Sequence, residues 1–203
     1  MKLPLEKQIP IVFTIAVFLL AVVVFFAFRS MSSLTEALEW KTKKQDVLSQ
    51  LDETLISLLN AETGTRGFII TGDEKVLEPY WLAKQRMDQN ISELKTLVSD
   101  NPAQMQRLEE LEATVRQRMD FLARRIEQRK NSRLEDITNN LKDSPGPEMS
   151  KRIRLLIGQM KTEETKLLVE RESEFNQKLI YTYRMFYLAG FAGIFSLALA
   201  NFA

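Results

Sequence analysis

Apolar residues are concentrated at the two ends of this chain, and its middle is polar with a helical repeat of apolar positions. Residues 10–28 form a run of nineteen without a charged side chain. Nineteen helical residues span about 28 Å, close to the hydrocarbon thickness of a bilayer. Because no small-x-small cleavage site follows, an uncleaved anchor is favoured over a signal peptide. The pattern therefore predicts a cytoplasmic tail at 1–9 and a first transmembrane helix at 10–28.

The second apolar stretch covers residues 181–203, where Arg184 and Asn201 are the polar exceptions besides its hydroxyl groups. Tyr181, Tyr183 and Tyr187 lie at its start, and tyrosine and arginine at one end of an apolar run are typical of a membrane interface. The stretch predicts a second transmembrane helix, and the alternative is a buried apolar helix. Two spans place both termini on one side of the membrane, which we expect to be the cytoplasm.

Between these ends, residues 29–180 repeat apolar residues at intervals of three and four, the spacing of amphipathic helices. The sequence therefore predicts an all-α protein, an antiparallel up-down four-helix bundle whose long helices are continuous with the two transmembrane helices. The predicted inward faces are Leu34, Leu38, Gln45, Leu48, Leu51, Leu55, Leu58, Leu59 and Glu62 on the first helix, Leu77, Tyr80, Met87, Ile91, Leu94 and Val98 on the second, Leu108, Leu111, Val115, Met119, Leu122 and Ile126 on the third, and Met149, Ile153, Leu156, Met160, Leu167 and Phe175 on the last.

Helix boundaries are indicated by capping residues and breakers. Thr71 and Glu74 have the spacing of a capping box, which predicts a second helix from about residue 73 to residue 99. Asn101 can cap a third helix with Pro102 in its first turn. A reversal at residues 130–133 gives ascending and descending helices of nearly equal length, so we expect one there. The Pro-Gly-Pro at 145–147 is then a kink in the descending arm.

A glycine-rich stretch at residues 60–73 stands out within the polar middle, since it holds three of the seven glycines. Gly64 and Gly67 each cost about 1 kcal/mol relative to alanine in a helix interior. They therefore indicate close packing of another backbone or an approaching turn. Glu62 and Arg66 are four residues apart and can pair on one helix face.

Composition excludes several function classes. The chain has no Cys and no His, which removes disulfides, thiolate nucleophiles, His general bases and the usual zinc ligands. Its 28 basic and 27 acidic residues nearly cancel, so no nucleic-acid partner is predicted. Glu163 and Glu164 are adjacent and would point about 100° apart on a helix, so they do not converge as paired catalytic carboxylates. We predict no catalytic residue, no metal site, no cofactor and no enzymatic activity for these residues.

Residues 62–73, followed by Leu-Glu-Pro-Tyr at 77–80, resemble the signature of the CHASE type-three domain. Residues 163–171 resemble the second block of that family. The residues that carry the resemblance are Gly64, Gly67, Thr71, Gly72, Asp73, Pro79, Glu163, Glu164 and Arg171.

The resemblance implies an extracytoplasmic sensory module in the inner membrane of a bacterium, flanked by two spans. In that family a cytoplasmic effector follows, such as a histidine kinase, a diguanylate cyclase or a chemoreceptor signalling domain. We therefore expect either the input half of a larger receptor or a minimal membrane protein without its own effector.

A candidate ligand site is a polar set that the predicted topology gathers at the end of the bundle far from the membrane. There a cationic pocket would receive a carboxylate or another anion, since the guanidinium fork binds carboxylates bidentately. The alternative is that these residues form salt bridges between helices and solvated faces. The set comprises Glu62, Thr63, Arg66, Tyr80, Trp81, Arg129, Lys130 and Arg133.

Two functional hypotheses follow. The first is a homodimeric sensor module in which a small molecule or protein signal biases two packings that differ by helix shifts of about 1–2 Å. The second is a membrane adaptor or structural protein that uses the same bundle to hold a partner complex.

Overall fold

The computed structural model describes residues 5–131 and 145–202. These residues contain no strand and confirm the predicted all-α class. The described ranges contain four α-helices, α1 Leu5–Thr71, α2 Glu78–Leu97, α3 Pro102–Asn131 and α4 Gly146–Phe202, with a 3₁₀ turn at Glu74–Leu77 before α2.

The chain divides into two compact units. The core unit is Thr42–Leu167, and the terminal unit combines Met1–Lys41 with Leu168–Ala203. Helices α1 and α4 contribute residues to both units, whereas α2 and α3 belong to the core unit.

All four helices contribute to the larger apolar cluster of the core unit. Its buried members are Val47, Leu51 and Leu58 from α1, Met87, Ile91 and Leu94 with Val98 from the α2 end, Leu108, Leu111 and Val115 from α3, and Ile153, Leu156, Ile157 and Met160 from α4. A second cluster packs beside the end of α1 and consists of Ala61, Phe68, Leu77, Tyr80, Ala83, Leu122 and Ile126.

Contacts within the core unit fix the helix directions. Along α1, successive contacts meet earlier and earlier residues of α2 and α4, and later and later residues of α3. Helix α1 is therefore antiparallel to α2 and α4 and parallel to α3. Toward α2 and the residues just after it, the pairs are Lys43 with Asp100, Gln50 with Asn90 and Gly64 with Tyr80. Toward α4 they are Asp52 with Lys161 and Glu62 with Ser150. Toward α3 they are Glu62 with Arg118 and Ile69 with Arg129.

The predicted inward faces of α2 and α3 are buried, apart from the half-buried Met119. The face predicted for α1 was partly wrong. Leu34, Leu38, Gln45 and Leu59 are exposed, while Lys44 and Thr54 are buried beside Val47 and Leu51. The two polar residues occupy core positions because each finds a partner there: Lys44 pairs with Glu164, and the Thr54 hydroxyl donates to the Gln50 carbonyl.

Two of the boundary predictions have definite outcomes. Asn101 caps α3, since its Oδ1 accepts a hydrogen bond from the Gln104 amide at 3.2 Å. The prediction of a capping box was wrong, because Asp73 and not Thr71 caps the 3₁₀ turn. The Asp73 Oδ1 accepts a hydrogen bond from the Lys75 amide at 3.0 Å. The helical turn thus begins at Glu74, close to the predicted residue 73, and α2 itself begins at Glu78. Helix α3 ends at Asn131, within the reversal predicted at 130–133, and the rest of that reversal lies outside the described residues. Helix α4 begins at Gly146 within the Pro-Gly-Pro.

The terminal unit contains a cavity of about 400 Å³ beside Leu34, Leu38, Leu168 and Phe175. Arg171 lies 5.3 Å from the ring centroid of Trp40, and Lys41 pairs with Glu172 at 3.6 Å. Among the described residues, one helical segment is long and apolar enough to cross a membrane, at Leu20–Thr71 near the N-terminus. The spans at 10–28 and 181–203 stay predictions.

Candidate functional site in the core unit

The glycine-rich motif is the last part of α1 and the turn into α2. Gly72 ends α1 with φ +72°, a left-handed conformation that favours glycine, and its amide donates to the Phe68 carbonyl at 2.8 Å. The Thr71 hydroxyl donates to the Gly67 carbonyl and accepts from the Asp73 amide. The motif thus ends α1 and is followed directly by the 3₁₀ turn that Asp73 caps.

Gly64 and Gly67 face the first residues after this turn. A Cβ at Gly64 would lie 3.1 Å from the Tyr80 amide nitrogen and 3.2 Å from the Val76 carbonyl oxygen. A Cβ at Gly67 would lie 2.5 Å from Cγ1 of Val76. The two glycines therefore allow the backbone that follows the turn to pack against α1. Pro79 lies in the first turn of α2, where its missing N–H costs nothing.

Glu62 lies in a buried polar cluster that joins three helices. Its Oε1 accepts a hydrogen bond from Arg118 Nε of α3 at 3.0 Å and another from the Ser150 hydroxyl of α4. Glu62 and Arg118 are each 8% exposed. The predicted pairing of Glu62 with Arg66 is replaced by this ion pair, because Glu62 faces the core while Arg66 is exposed.

Helix α3 presents a second buried cation close to this cluster. Phe121 lies between Arg118 and Arg125, with the guanidinium carbons 5.4 Å and 5.8 Å from its ring centroid. Arg125 is 7% exposed, and its Nη1 donates to Gln128 Oε1 at 3.2 Å. The α3 side of the core thus carries two buried positive charges one heptad apart.

The basic residues predicted for the site are placed differently. Arg129 Nε donates to the Ile69 carbonyl at 2.8 Å, so it stabilises the C-terminal end of α1. Lys130 donates to the Glu74 carboxylate at 2.9 Å, and this hydrogen bond raises the pKa of Lys130. Arg133 lies outside the described residues.

The remaining predicted site residues are divided between core and surface. Tyr80 is 1% exposed, and burial raises the pKa of its hydroxyl, with the Asp120 charge adding to the shift. Trp81 packs edge-on against Tyr80 at 4.9 Å but is 48% exposed. Thr63 and Arg66 are exposed. The structure therefore brings Glu62 and Tyr80 into the core and leaves Thr63, Arg66 and Trp81 at the surface.

A second buried charge cluster lies nearer the start of the core unit. Lys44 of α1 pairs with Glu164 of α4 at 2.9 Å, and both are almost fully buried. Gln104 of α3 donates through Nε2 to Glu164 Oε1 at 2.8 Å and to the Met160 carbonyl at 3.1 Å. Of the two adjacent glutamates, Glu164 thus belongs to the core, and Glu163 is half-buried.

Between these clusters, α1 and α2 share a neutral polar contact. Gln50 Nε2 donates to Asn90 Oδ1 at 3.2 Å, and Asn90 Nδ2 donates to the Ser57 hydroxyl at 3.4 Å. The core unit therefore alternates apolar packing with polar clusters. Within the described ranges no group of three Asp, Glu, His or Cys side chains could hold a metal ion.

Sequence reasoning missed Arg118, Arg125, Ser150, Lys44 and Gln104 as core residues. A signal for the α3 residues was present in the heptad spacing. Arg118 and Arg125 continue the three-and-four series of Leu108, Leu111, Val115 and Leu122, so both occupy seam positions. A charged residue at a seam position indicates a buried pair or a site, provided that a partner exists on another helix.

Comparison with known proteins gives a family and one solved structure. The family model of the CHASE3 domain matches residues 37–174. The chain is similar to the "Rhodopseudomonas palustris histidine kinase HK9 sensor domain", a crystal structure, with 25% sequence identity and a TM-score of 0.57. That similarity covers 62% of this chain and 98% of the HK9 chain. None of the curated proteins matches this chain.

Proposed function

This chain belongs to the CHASE3 domain family, and we propose that it is the sensor module of a bacterial membrane receptor. The signal would be received outside the cytoplasm and passed to a cytoplasmic effector such as a histidine kinase or a diguanylate cyclase. The similarity to the sensor domain of a histidine kinase supports this proposal. No catalytic role is proposed for these residues.

The observation that carries the proposal is the placement of buried charges on helices that also contain the predicted spans. Helix α1 holds Lys44 and Glu62, and α4 holds Ser150 and Glu164. Buried ion pairs need closely defined geometry, because a displaced partner leaves a desolvated charge. A shift of α1 or α4 is therefore coupled to discrete arrangements of these clusters.

In the proposed mechanism the core unit is an antiparallel four-helix bundle within a homodimer. A small molecule or a protein partner would favour one of two packings, and α1 and α4 would move by about 1–2 Å relative to one another. Glu62 and Tyr80, with the exposed Thr63, Arg66 and Trp81, would lie in the region that responds to the signal. Arg129 would support that region through the end of α1.

The membrane arrangement is tested by cysteine labelling, since the chain has no cysteine of its own. In intact cells a membrane-impermeant maleimide should label a Thr63→Cys variant, whose position is exposed in the core unit. A Lys7→Cys variant, in the predicted cytoplasmic tail, should be labelled only after lysis. Labelling of Thr63→Cys only after lysis would refute the proposed extracytoplasmic position.

Sensor function is tested by joining the whole chain to the cytoplasmic part of a histidine kinase and measuring autophosphorylation in membranes. Glu62→Gln removes the charge that Arg118 faces and should change kinase output several-fold, whereas Glu53→Gln, at an exposed position of the same helix, should not. If kinase output is unchanged by Glu62→Gln and also by substitution of Lys44 or Glu164, the proposed sensor function is wrong. Stable recovery of another protein with the whole chain would then favour the adaptor hypothesis.

A further inference from the structure

Arg125 carries a buried positive charge that no described carboxylate balances. The residue is 7% exposed, and within the described ranges its Nη2 has no hydrogen-bond partner. The neighbouring cations of α3 differ, since Arg118 pairs with Glu62 and Arg129 donates to the Ile69 carbonyl. An uncompensated buried charge is costly in a protein interior, and buried guanidinium groups normally face an acceptor.

A second unsatisfied polar group lies on α1. Thr65 is 2% exposed, and its hydroxyl has no partner in the part of the chain that the structure describes. Unpaired buried polar groups are uncommon in native proteins, and an ion or water is one of their ordinary explanations.

The register of α1 against α3 places Thr65 and Arg125 at the same level of the core. Thr65 lies between Ala61 and Phe68 on the buried face of α1, and Arg125 follows Leu122 and precedes Ile126 on α3. Those four apolar residues belong to one packed cluster. Because α1 and α3 are parallel, with Glu62 at Arg118 and Ile69 at Arg129, residue 65 falls opposite the segment that contains Arg125.

We propose that Thr65 and Arg125 form an internal binding site for a small carboxylate of the size of formate or acetate. A guanidinium Nη2 and a hydroxyl both donate, and a planar carboxylate offers two acceptor oxygens and the missing negative charge. The ligand is small because both side chains are more than nine-tenths buried. This inference deepens the proposed sensor function by naming a ligand class, but binding itself requires no effector.

The test is the thermal unfolding midpoint of the whole chain in detergent micelles, titrated with sodium acetate. Ionic strength is held constant with the sodium salt of a bulky organic sulfonate, which is too large for the site. A ligand that binds the folded state raises the midpoint progressively once its concentration exceeds the dissociation constant. We expect this rise in the unaltered chain and its loss in Arg125→Gln, which removes the charge.

Arg124→Gln is the matched control, since Arg124 is the exposed neighbour of Arg125 on the same helix. It should retain the full acetate-dependent rise. Thr65→Val replaces the hydroxyl with a methyl group of similar size and should weaken the acetate response without abolishing folding. In the absence of acetate, Arg125→Gln should unfold at a temperature no lower than the unaltered chain, because it removes an uncompensated charge.

Two outcomes would overturn the site. Either the unaltered chain shows no acetate-dependent rise, which means that water alone satisfies these groups, or Arg125→Gln keeps the same rise as Arg124→Gln. Failure of the sensor proposal is distinguishable from both. In that case acetate still raises the unfolding midpoint, but kinase output of the fused protein is unchanged by the variants at Glu62, Lys44 and Glu164.

Discussion

The carboxylate of Glu62 and the guanidinium of Arg118 lie 3.0 Å apart between α1 and α3, and both side chains are about nine-tenths buried. Ser150 adds a hydrogen bond from α4 to the same carboxylate. The first acidic residue of the family motif is thereby a junction of three helices. Its substitution should disturb the whole core unit and not only the turn that follows.

Replacing Glu62 with alanine leaves Arg118 buried without its counter-charge. We expect a loss of about 3–5 kcal/mol in the free energy of unfolding, the range for breaking a buried ion pair from one side. Denaturant unfolding of the whole chain in detergent measures it. Thr63→Ala, at the exposed neighbouring position, should stay within about 0.5 kcal/mol of the unaltered chain.

The same pair allows a sharper test through a double variant. Glu62→Leu with Arg118→Met removes both charges together, and apolar replacement of a buried pair is often neutral or stabilising. The double variant should therefore regain most of the stability lost in Glu62→Ala. A double variant as unstable as Glu62→Ala would contradict the assignment of that loss to the orphaned Arg118 charge.

Adjacent glutamates in α4 should differ sharply in their effect on stability. Glu164 is fully buried and contacts both Lys44 and Gln104, whereas Glu163 is half-buried. Glu164→Ala should lower the free energy of unfolding by about 3–5 kcal/mol because it removes the carboxylate that the buried Lys44 ammonium faces. Glu163→Ala should cost less than about 1 kcal/mol. Equal losses by denaturant unfolding would show that the Lys44 contact does not govern stability.

Alanine at Gly64 and at Gly158 should have opposite effects. At Gly64 a Cβ would press on backbone atoms of Val76 and Tyr80 at 3.1–3.2 Å, and neither can move without moving the turn. At Gly158 no atom lies within 4 Å, so alanine should stabilise the helix by about 0.5–1 kcal/mol. Thermal unfolding of both variants is the measurement. Stabilisation by Gly64→Ala would show that the close approach of the turn to α1 is absent.

The Glu112–Lys95 contact makes part of the stability dependent on pH. Lys95 Nζ lies 2.6 Å from Glu112, and its hydrogen bond holds the pKa of Glu112 below the usual 4.5, with Arg116 adding to the effect. A carboxylate with a lowered folded-state pKa stabilises the protein fully above its unfolded pKa. That contribution is lost as the pH falls through the folded value. Stability measured between about pH 6 and pH 3 should therefore decline less steeply in Glu112→Gln.

Glu109→Gln provides the control for the pH series, because Glu109 is exposed on the same helix. It should leave the decline close to that of the unaltered chain. If Glu109→Gln and Glu112→Gln flatten the pH dependence equally, the contact between α2 and α3 does not set it.

Much of the helix pattern could be predicted from the sequence because it depends on local spacing. The buried faces of α2 and α3 follow the three-and-four repeat, and Asn101 before Pro102 marks the start of α3. Gly64 and Gly67 could be singled out because glycine is unfavourable inside a helix unless something packs closely. The capping box failed because Thr71 and Asp73 compete for the same turn, and the left-handed Gly72 leaves the capping position to Asp73.

The sequence by itself determined the helical class, most inward faces, the glycine turn and the resemblance to a sensory family, since each is written in neighbouring residues. Only the tertiary structure decided which charges are buried. Glu62 pairs with Arg118 rather than Arg66, and Arg129 donates to a carbonyl at the end of α1. The physical reason is that a charged side chain enters a core only where a partner from a distant helix compensates its lost hydration, and that partner depends on how the helices align.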